Sequence, residues 1–233
     1  MAHIGILLCD EHRPDAVAQF GTYDNNFKMM LNGHEQVEWQ YTVWRCFEGV
    51  FPTSTDECDG WIISGSKWGV YDPDIWIKKL KGFIHALDEV KAKVVGVCFG
   101  HQIIHAALGG KVAKSEKGWG VGAYAINVYE PLGLIVSGQT LRVLAIHQDQ
   151  VQKMAPDFTL VAGCAFTPFA ITKKNKNILT FQSHPEFEED FYQGLCENIR
   201  GKLGEEAMQT VRAGIGQSDD RDIVRQVIRF FLQ

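Results

Sequence analysis

The fold is decided by Val94–Gly110, which reads VVGVCFGHQIIHAALGG. An apolar strand is predicted to end at Val97, and a helix is predicted to begin close to Gly100. Cys98 stands between them, with a small residue two positions away on either side. This small-X-nucleophile-X-small pattern is typical of a nucleophile elbow, a sharp strand-to-helix turn that projects a reactive side chain out of the sheet.

Cys98 has three interpretations on this local pattern. A helix N-terminus favours the thiolate form of a cysteine, and the backbone N–H groups of the turn can hold an oxyanion, so a catalytic nucleophile is the first. A buried structural cysteine after a core strand is the second. A metal site is the third, because Cys98, His101 and His105 lie on one helical face, but no Glu stands beside these histidines to serve zinc.

A second segment, residues 180–187, reads TFQSHPEF and offers a base for that nucleophile. An apolar strand is predicted to end there and to present His184, with Glu186 two residues later. A cysteine nucleophile needs a base, and the base needs an orienting group. Taken alone, His-Pro-Glu at a strand end is typical of a surface turn. Paired with the elbow, it predicts a Cys-His-Glu triad.

The first half of the chain alternates between strand and helix patterns. Strands are predicted at residues 4–9, 37–43, 60–64 and 93–97. Helices are predicted over residues 14–32, broken near Gly21, and over residues 74–90. That alternation favours an α/β fold with a parallel sheet covered on both faces.

After Gly110 the pattern changes to short β-type runs separated by turns, which predicts hairpins or a mixed sheet. These runs are residues 122–129, 141–146, 159–163, 168–172 and 178–182. Helical patterns follow over residues 188–202 and 219–232. Length and pattern together predict one domain over residues 1–233.

Composition excludes several classes of protein. The chain has 233 residues, of which 45% are hydrophobic and 22% charged, as in globular proteins that bury a sizeable core. Lys and Arg total 23 against 28 Asp and Glu, so the basic surface that nucleic acid requires is not expected. The longest run free of these charged residues, Val94–Gly110, is too short for a membrane span. Six scattered cysteines and no export pattern predict reduced thiols and a cytoplasmic location.

Four segments, in chain order, resemble motifs of the class I (triad-type) glutamine amidotransferases. GVCFGHQ at residues 96–102 is similar to the nucleophile motif, and SHPE at 183–186 is similar to the histidine-glutamate motif. ISGSKWGVY at residues 63–71 resembles the strand and loop that carry the second oxyanion-hole amide. IHQDQV at residues 146–151 resembles the His-Gly-Asp-X-Val segment of the amidotransferase domain of GMP synthetase. The four segments span most of the chain.

The resemblance implies a flavodoxin-like, doubly wound α/β fold: a mostly parallel central sheet with helices on both faces, a β-rich second half, and the site at the carboxyl ends of the strands. Cys98 would be the nucleophile, His184 the general base and acid, and Glu186 its orienting group. Backbone amides would form the oxyanion hole at Gly65, Ser66 and Phe99. Four further residues would help to bind the glutamyl group: Gln102, His147, Gln148 and Asp149.

Two positions depart from the family pattern. Gly65-Ser66-Lys67 stands where the family usually has Gly-Gly-Pro, which is expected to leave this loop less pre-set. Gln148 replaces a glycine, which is expected to narrow or re-aim the substrate loop. GTYDNNF at residues 21–27 looks more like the free-standing GMP-synthetase-like amidotransferases and the plant γ-glutamyl peptidases.

The expected reaction is cysteine-dependent hydrolysis of the γ-amide of glutamine through a γ-glutamyl thioester, releasing glutamate and ammonia. The alternative is a γ-glutamyl peptidase or hydrolase acting on γ-glutamyl peptides, conjugates or amines. A silent binding module is disfavoured because Cys98 and His184 are both present. No metal or organic cofactor is expected. Because no acceptor domain is expected either, a separate synthetase subunit would use the ammonia, or the product would simply be released.

Overall fold

The computed structural model describes residues 2–33, 39–217 and 219–233. The strands described are β1 Ala2–Leu8, β2 Trp39–Arg45, β3 Gly60–Ile63, β4 Lys93–Val97, β5 Lys111–Lys114, β6 Gly120–Val128, β7 Thr140–His147, β8 Asp149–Lys153, β9 Phe158–Gly163, β10 Ile171–Lys174 and β11 Ile178–Phe181. The helices are α1 Pro14–Phe20, α2 Tyr23–Asn32, α3 Ile75–Glu89, α4 Phe99–Ala107, α5 Glu189–Asn198, α6 Arg200–Leu203, α7 Glu205–Gly214 and α8 Arg221–Leu232.

Nine strands form the central sheet, in the order β2-β1-β3-β4-β11-β10-β9-β6-β7. The strands from β2 to β11 in this order pair in parallel, and those from β11 to β7 pair antiparallel. β5 and β8 form a separate antiparallel ribbon. Parallel neighbours need long crossovers such as helices, whereas turns can join antiparallel strands. The short β-type runs predicted after Gly110 accordingly form the antiparallel part of the sheet. The predicted α/β fold with a β-rich second half is confirmed.

Both faces of the sheet are covered. Along β1, Ile4, Ile6 and Leu8 pack into one hydrophobic core, which also contains residues of α2 and α8. Leu7, between them, packs into a second core with residues of α3 and α4. Alternate residues of a strand point to opposite faces, so one apolar run serves both cores. Within the described ranges, every helix is too short or too polar to traverse a lipid bilayer.

Several predicted boundaries differ from the structure. The helix predicted over residues 14–32 with a break near Gly21 is divided there into α1 and α2, as expected, because the chain turns at Gly21, where φ is +85°. The helix predicted over residues 188–202 is divided into α5 and α6. The strand predicted at residues 168–172 begins only at Ile171, since residues 164–167 form a turn and Pro168 has no N–H for the ladder. Residues 37–38 of the strand predicted at 37–43 lie outside the described residues.

Three elements have no counterpart in the prediction. β5 reads KVAK and β8 reads DQVQK, so neither offers the apolar alternation that marks a strand. α7 buries only Met208 and Val211, which is too thin an apolar stripe to be recognised as a helix face. These elements owe their conformation to neighbours that are distant in the sequence.

Close packing at the elbow explains the two small residues that flank Cys98. A Cβ atom at Gly100 would overlap the carbonyl oxygen of Ile63 on β3. A Cβ atom at Gly96 would lie 2.6 Å from Cδ1 of Ile104 and 2.8 Å from the carbonyl carbon of Gly100. The glycines therefore let α4 begin directly after β4 and lie against the sheet.

Gly100→Ala is expected to lower the free energy of unfolding by about 1–3 kcal/mol, because the new methyl group meets rigid backbone in a filled core. Gly82→Ala is the matched control. Gly82 is an exposed residue of α3, and in the described chain a Cβ there meets no atom within 4 Å beyond its own helix and neighbours. Alanine should stabilise that position by about 0.5–1 kcal/mol. Urea unfolding of both variants measures the contrast, and equal effects would contradict the packing argument.

Candidate active site

Cys98 lies at the junction of β4 and α4 in a strained backbone conformation. Its φ is +51° and its ψ is −101°, a region that a non-glycine residue adopts at a cost of about 1–3 kcal/mol and keeps only when its surroundings enforce it. Its backbone N–H donates to the carbonyl oxygen of Phe181 at 2.8 Å, which ties the elbow to the end of β11. The thiol is 6% exposed and lines a cavity. The structure thus has the geometry predicted for a nucleophile elbow.

His184 and Glu186 lie beside this thiol. The Nδ1 atom of His184 is 2.7 Å from Oε1 of Glu186, and the backbone N–H of His184 donates to Leu144 at 2.9 Å. The His184 ring stacks on Phe187 with 4.3 Å between centroids and 4° between planes. Because Nδ1 is committed to the carboxylate, the other ring nitrogen is the one available to Cys98, which lines the same cavity as His184 and whose charge acts on it.

Buried negative charge keeps His184 protonated. Burial lowers the pKa of His184, but the charges of Glu186 and Cys98 and the hydrogen bonds to both outweigh it and raise the pKa to about 10. At neutral pH the ring is therefore an imidazolium between two acidic groups. Such an imidazolium stabilises a thiolate and can protonate a leaving group.

The loop after β3 is held to the end of β1. Ser66 Oγ donates to the carbonyl oxygen of Cys9 at 2.9 Å. The Lys67 backbone N–H and its Nζ each donate to the carboxylate of Asp10, both at 2.9 Å. The residues that replace Gly-Pro therefore anchor the loop themselves. These hydrogen bonds hold the loop to the end of β1 in the folded chain, and the expectation of a less pre-set loop stays a prediction.

The three backbone amides predicted for the oxyanion hole are in different situations. The N–H of Phe99 is at the first position of α4 and has no intrahelical acceptor. The N–H of Ser66 also has no acceptor among the described residues. The N–H of Gly65, by contrast, donates to the Tyr23 hydroxyl at 3.1 Å. The amides of Phe99 and Ser66 are thus free to receive an oxyanion, whereas that of Gly65 is engaged.

Two of the residues predicted to bind substrate brace the loop between β7 and β8. The side-chain amide of Gln102 donates to the backbone carbonyl of Asp149 at 2.8 Å, and Nδ1 of His147 contacts the same oxygen at 3.1 Å. The other ring nitrogen of His147 is 3.0 Å from the Tyr124 hydroxyl. Burial lowers the pKa of His147 to about 3, so this ring is neutral. Gln148 and Asp149 line the cavity beyond this brace.

A cavity of about 1120 Å³ opens over Cys98. The lining includes the polar side chains of Tyr71, Lys114 and Asp149. Burial raises the pKa of Asp149, while Tyr71 and Lys114 act in the opposite direction. The lining also includes four apolar side chains, those of Phe20, Phe191, Leu195 and Ile199, among polar ones such as Gln19, Glu197 and Lys202. The cavity therefore offers both charged groups and apolar surface to a ligand near the thiol.

Two residues of the site were missed in the sequence. Gln182 donates to the sulfur of Cys98 at 3.7 Å and receives a hydrogen bond from Gln102 at 3.2 Å. Tyr23 contacts both Glu186 and Gly65. Gln182 lies within the quoted TFQSHPEF segment, so its nearness to His184 was a usable signal, whereas nothing around Tyr23 pointed to the triad.

The histidines of α4 are engaged elsewhere. Nδ1 of His101 is 2.8 Å from the Thr180 hydroxyl, and Nε2 of His105 is 2.9 Å from that of Thr172. No group of three or more His, Cys, Asp and Glu side chains in the described part of the chain is arranged to hold a metal ion. The metal interpretation of Cys98, His101 and His105 therefore has no support.

Comparison with known proteins identifies relatives over most of the chain. Residues 21–194 match the family model of glutamine amidotransferase class-I. Gamma-glutamyl peptidase 4 of Arabidopsis thaliana is 29% identical over 225 residues, which cover 92% of this chain and 88% of that protein. Gamma-glutamyl peptidase 5 of the same plant is 32% identical over 77% of this chain and 74% of its own length. Glutamine-hydrolysing GMP synthase of Trichormus variabilis is 29% identical, but the match covers 67% of this chain and only 31% of that enzyme.

Solved structures share the fold. A glutamine amidotransferase from Thermotoga maritima superposes with a TM-score of 0.75 at 14% identity, covering 99% of this chain and 96% of the other. A glutamine amidotransferase from Methylobacillus flagellatus gives 0.68 at 17% identity, covering 99% and 91%. At such low identity these structures show the fold alone, and the flavodoxin-like expectation is confirmed. The family model, which matches well over half of the chain, shows that the protein belongs to the class I glutamine amidotransferases.

Proposed function

We propose that the protein hydrolyses γ-glutamyl amide bonds with Cys98 as the nucleophile, and that its substrates are γ-glutamyl peptides or amines rather than glutamine. The observation that carries the reaction is the buried 2.7 Å pair of His184 and Glu186, which lies beside Cys98 at the junction of β4 and α4. The proposal takes residues 1–233 as one catalytic domain. The activity needs no acceptor domain, since both products are simply released.

In the first half of the reaction, the Cys98 thiolate attacks the γ-carbonyl carbon and forms a carbon–sulfur bond. The resulting oxyanion is received by the free amides of Phe99 and Ser66. The carbon–nitrogen bond then breaks, and the leaving amine takes the proton from the imidazolium of His184. A γ-glutamyl thioester on Cys98 remains, with His184 neutral and held by Glu186.

In the second half, neutral His184 takes a proton from water as the water oxygen attacks the thioester carbon. The same two amides receive the second oxyanion. The carbon–sulfur bond then breaks, glutamate leaves, and the thiolate and imidazolium are restored. Glu186 keeps its charge throughout and fixes the ring orientation through Nδ1, which is the part an orienting carboxylate plays in a triad.

The cavity supports the choice of larger substrates. At about 1120 Å³ it exceeds what a free amino acid fills and lies at the upper end of ligand pockets. The Asp149 carboxylate is suited to the α-ammonium group of the glutamyl head. The apolar side chains of Phe20, Phe191, Leu195 and Ile199, together with the polar ones among them, are suited to a large amine leaving group. The resemblance to two gamma-glutamyl peptidases over most of their length supports the same choice.

Glutamine hydrolysis for a separate synthetase is the second candidate. It is favoured by the match to a glutamine-hydrolysing GMP synthase. In that case glutamine would be the best substrate, and its turnover would rise when the synthetase is added.

Steady-state kinetics with glutamine and a panel of γ-glutamyl dipeptides and amines test the substrate. We expect kcat/KM for the best peptide or amine to exceed that for glutamine at least tenfold, about 1.4 kcal/mol of transition-state binding. Cys98→Ala and His184→Ala should be nearly inactive, while Glu186→Gln should keep measurable turnover. Cys58→Ala, which alters a cysteine before β3, is the control and should behave as wild type. A preference for glutamine would favour the second candidate, and an active Cys98→Ala would refute the mechanism.

Titration of His184 by NMR tests the charge arrangement independently of any substrate. Because Glu186 and Cys98 raise the pKa of His184 to about 10, Glu186→Gln and Cys98→Ala should each lower it, and burial should then dominate. The signal of the ring carbon Cε1 reports this pKa directly. Cys58→Ala should leave the titration unchanged. A His184 that titrates over the same pH range in all four proteins would contradict the arrangement.

A further inference from the structure

Tyr23, the first residue of α2, connects two parts of the site that the proposed mechanism uses separately. Its hydroxyl donates to Oε1 of Glu186 at 3.0 Å and accepts the N–H of Gly65 at 3.1 Å. The contact with Glu186 joins residues 163 positions apart in the chain. Neither the reaction nor the family resemblance assigns this side chain a part.

The direction of both hydrogen bonds follows from the partners. A backbone N–H only donates and an ionised carboxylate only accepts, so the hydroxyl proton lies towards Glu186. Burial, followed by the charges of Glu186 and Cys98, raises the pKa of Tyr23 well above its ordinary value. The phenol therefore keeps its proton and remains a donor at any pH where the protein works. A single carboxylate oxygen, Oε1 of Glu186, accepts the hydrogen bond from the Tyr23 hydroxyl and also pairs with Nδ1 of His184.

Tyr23 is itself held firmly. Its ring stacks on His12 at 4.6 Å and packs against Phe27 and Phe187 at 5.4 and 5.8 Å between centroids. Its backbone N–H donates to the Glu11 carboxylate at 2.8 Å. The residue is only 4% exposed. A side chain with so little freedom places its hydroxyl at a fixed point between loop and triad.

Gly65, the second residue after β3, packs closely against this hydroxyl. A Cβ atom at Gly65 would lie 2.5 Å from the Tyr23 oxygen, 3.0 Å from Cε1 of His184 and 3.7 Å from Cβ of Cys98. Gly65 therefore approaches all three side chains as closely as a residue can. The Gly65 N–H fixes the peptide that precedes Gly65, and the Gly65 carbonyl, which accepts from Ser64 Oγ at 2.9 Å, belongs to the next peptide, which carries the free N–H of Ser66.

We propose that Tyr23 is a positioning residue that fixes the oxyanion loop against the triad through the Gly65 N–H and the Glu186 carboxylate. This inference rests on the proposed function, because the amide it positions is the one assigned to the oxyanion. Ser66 and Lys67 anchor the middle of the loop to β1, and Tyr23 anchors its beginning. Without the hydroxyl, the Gly65 N–H would be buried without a partner, and the loop would shift to satisfy it.

Tyr23→Phe removes both hydrogen bonds and keeps the ring contacts. Tyr192→Phe is the matched control, since the Tyr192 hydroxyl also accepts a backbone N–H, that of Gly122 at 2.6 Å, and donates to an oxygen, that of Ala145 at 2.8 Å. Tyr192 is equally buried and takes no part in the proposed chemistry. Both variants should lose similar stability in urea unfolding, so an effect confined to Tyr23→Phe is not a general cost of losing a buried hydroxyl.

The kinetic test compares γ-glutamyl hydrolysis, which needs the oxyanion amide, with alkylation of Cys98, which does not. Hydrolysis of the best γ-glutamyl substrate by Tyr23→Phe should lose about 10- to 100-fold in kcat with little change in KM, below the full loss of an oxyanion donor. Alkylation of Cys98 by iodoacetamide develops no oxyanion and should stay within about threefold of wild type. An unchanged kcat would overturn the inference. An equal loss in both reactions would also overturn it, because Tyr23 would then act on the thiolate.

A second test, hydrogen exchange, does not depend on catalytic turnover. Hydrogen exchange should show faster exchange of the peptide containing residues 64–69 in Tyr23→Phe than in wild type or Tyr192→Phe. Unchanged exchange would overturn the inference even if the wild-type protein had no γ-glutamyl hydrolase activity. A wild-type protein that is inactive on every γ-glutamyl compound, with faster exchange in Tyr23→Phe, would refute the proposed function and leave the positioning of the loop established.

Discussion

The close approach of α4 to β3 is the constraint on which the site depends. Because Gly100 lies against the carbonyl of Ile63 with no room for a side chain, α4 packs on β3 with only Cys98 between its start and the end of β4. Cys98 is the residue left to make the turn, and its φ of +51° follows from that demand. The strain of this conformation, about 1–3 kcal/mol, is offset by the packing of α4 on the sheet. A reactive position is thus a by-product of helix–sheet geometry.

The carboxyl ends of neighbouring parallel strands bring the remaining groups of the site together. β3 leads into the loop of Gly65, β4 into Cys98, and β11 into the segment of His184, and these three strands are neighbours in the sheet. The antiparallel half contributes through β7, whose end carries the loop that Gln102 braces. Buried charge is then concentrated there: Glu186 and Cys98 together outweigh the burial that would otherwise neutralise His184. The fold thus places Glu186 and Cys98 close enough for the imidazolium of His184 to interact with both.

The sequence predicted what is local and missed what is distant. The elbow and the His-Pro-Glu turn are short patterns at strand ends, so the α/β fold and the candidates Cys98, His184 and Glu186 could be inferred without coordinates. Tyr23 could not, because its partner Glu186 is 163 residues away. β5, β8 and α7 lack an apolar period of their own, so pattern reasoning had no signal to use. Gln102 and His147 were expected to face the ligand, and only the structure shows their polar atoms bracing the Asp149 carbonyl.

The loop after β3 is held by hydrogen bonds, whereas the family's usual Gly-Gly-Pro would restrict it covalently. A proline restricts φ covalently, and the restriction survives whatever happens elsewhere in the chain. Here Ser66 and Lys67 bond to the end of β1, and Gly65 bonds to Tyr23 at the start of α2. Each of these bonds exists only while its distant partner is in place. The order of this loop is therefore tied to the docking of β1 and α2, so the amides that we propose as the oxyanion hole take their positions only as the tertiary structure is completed.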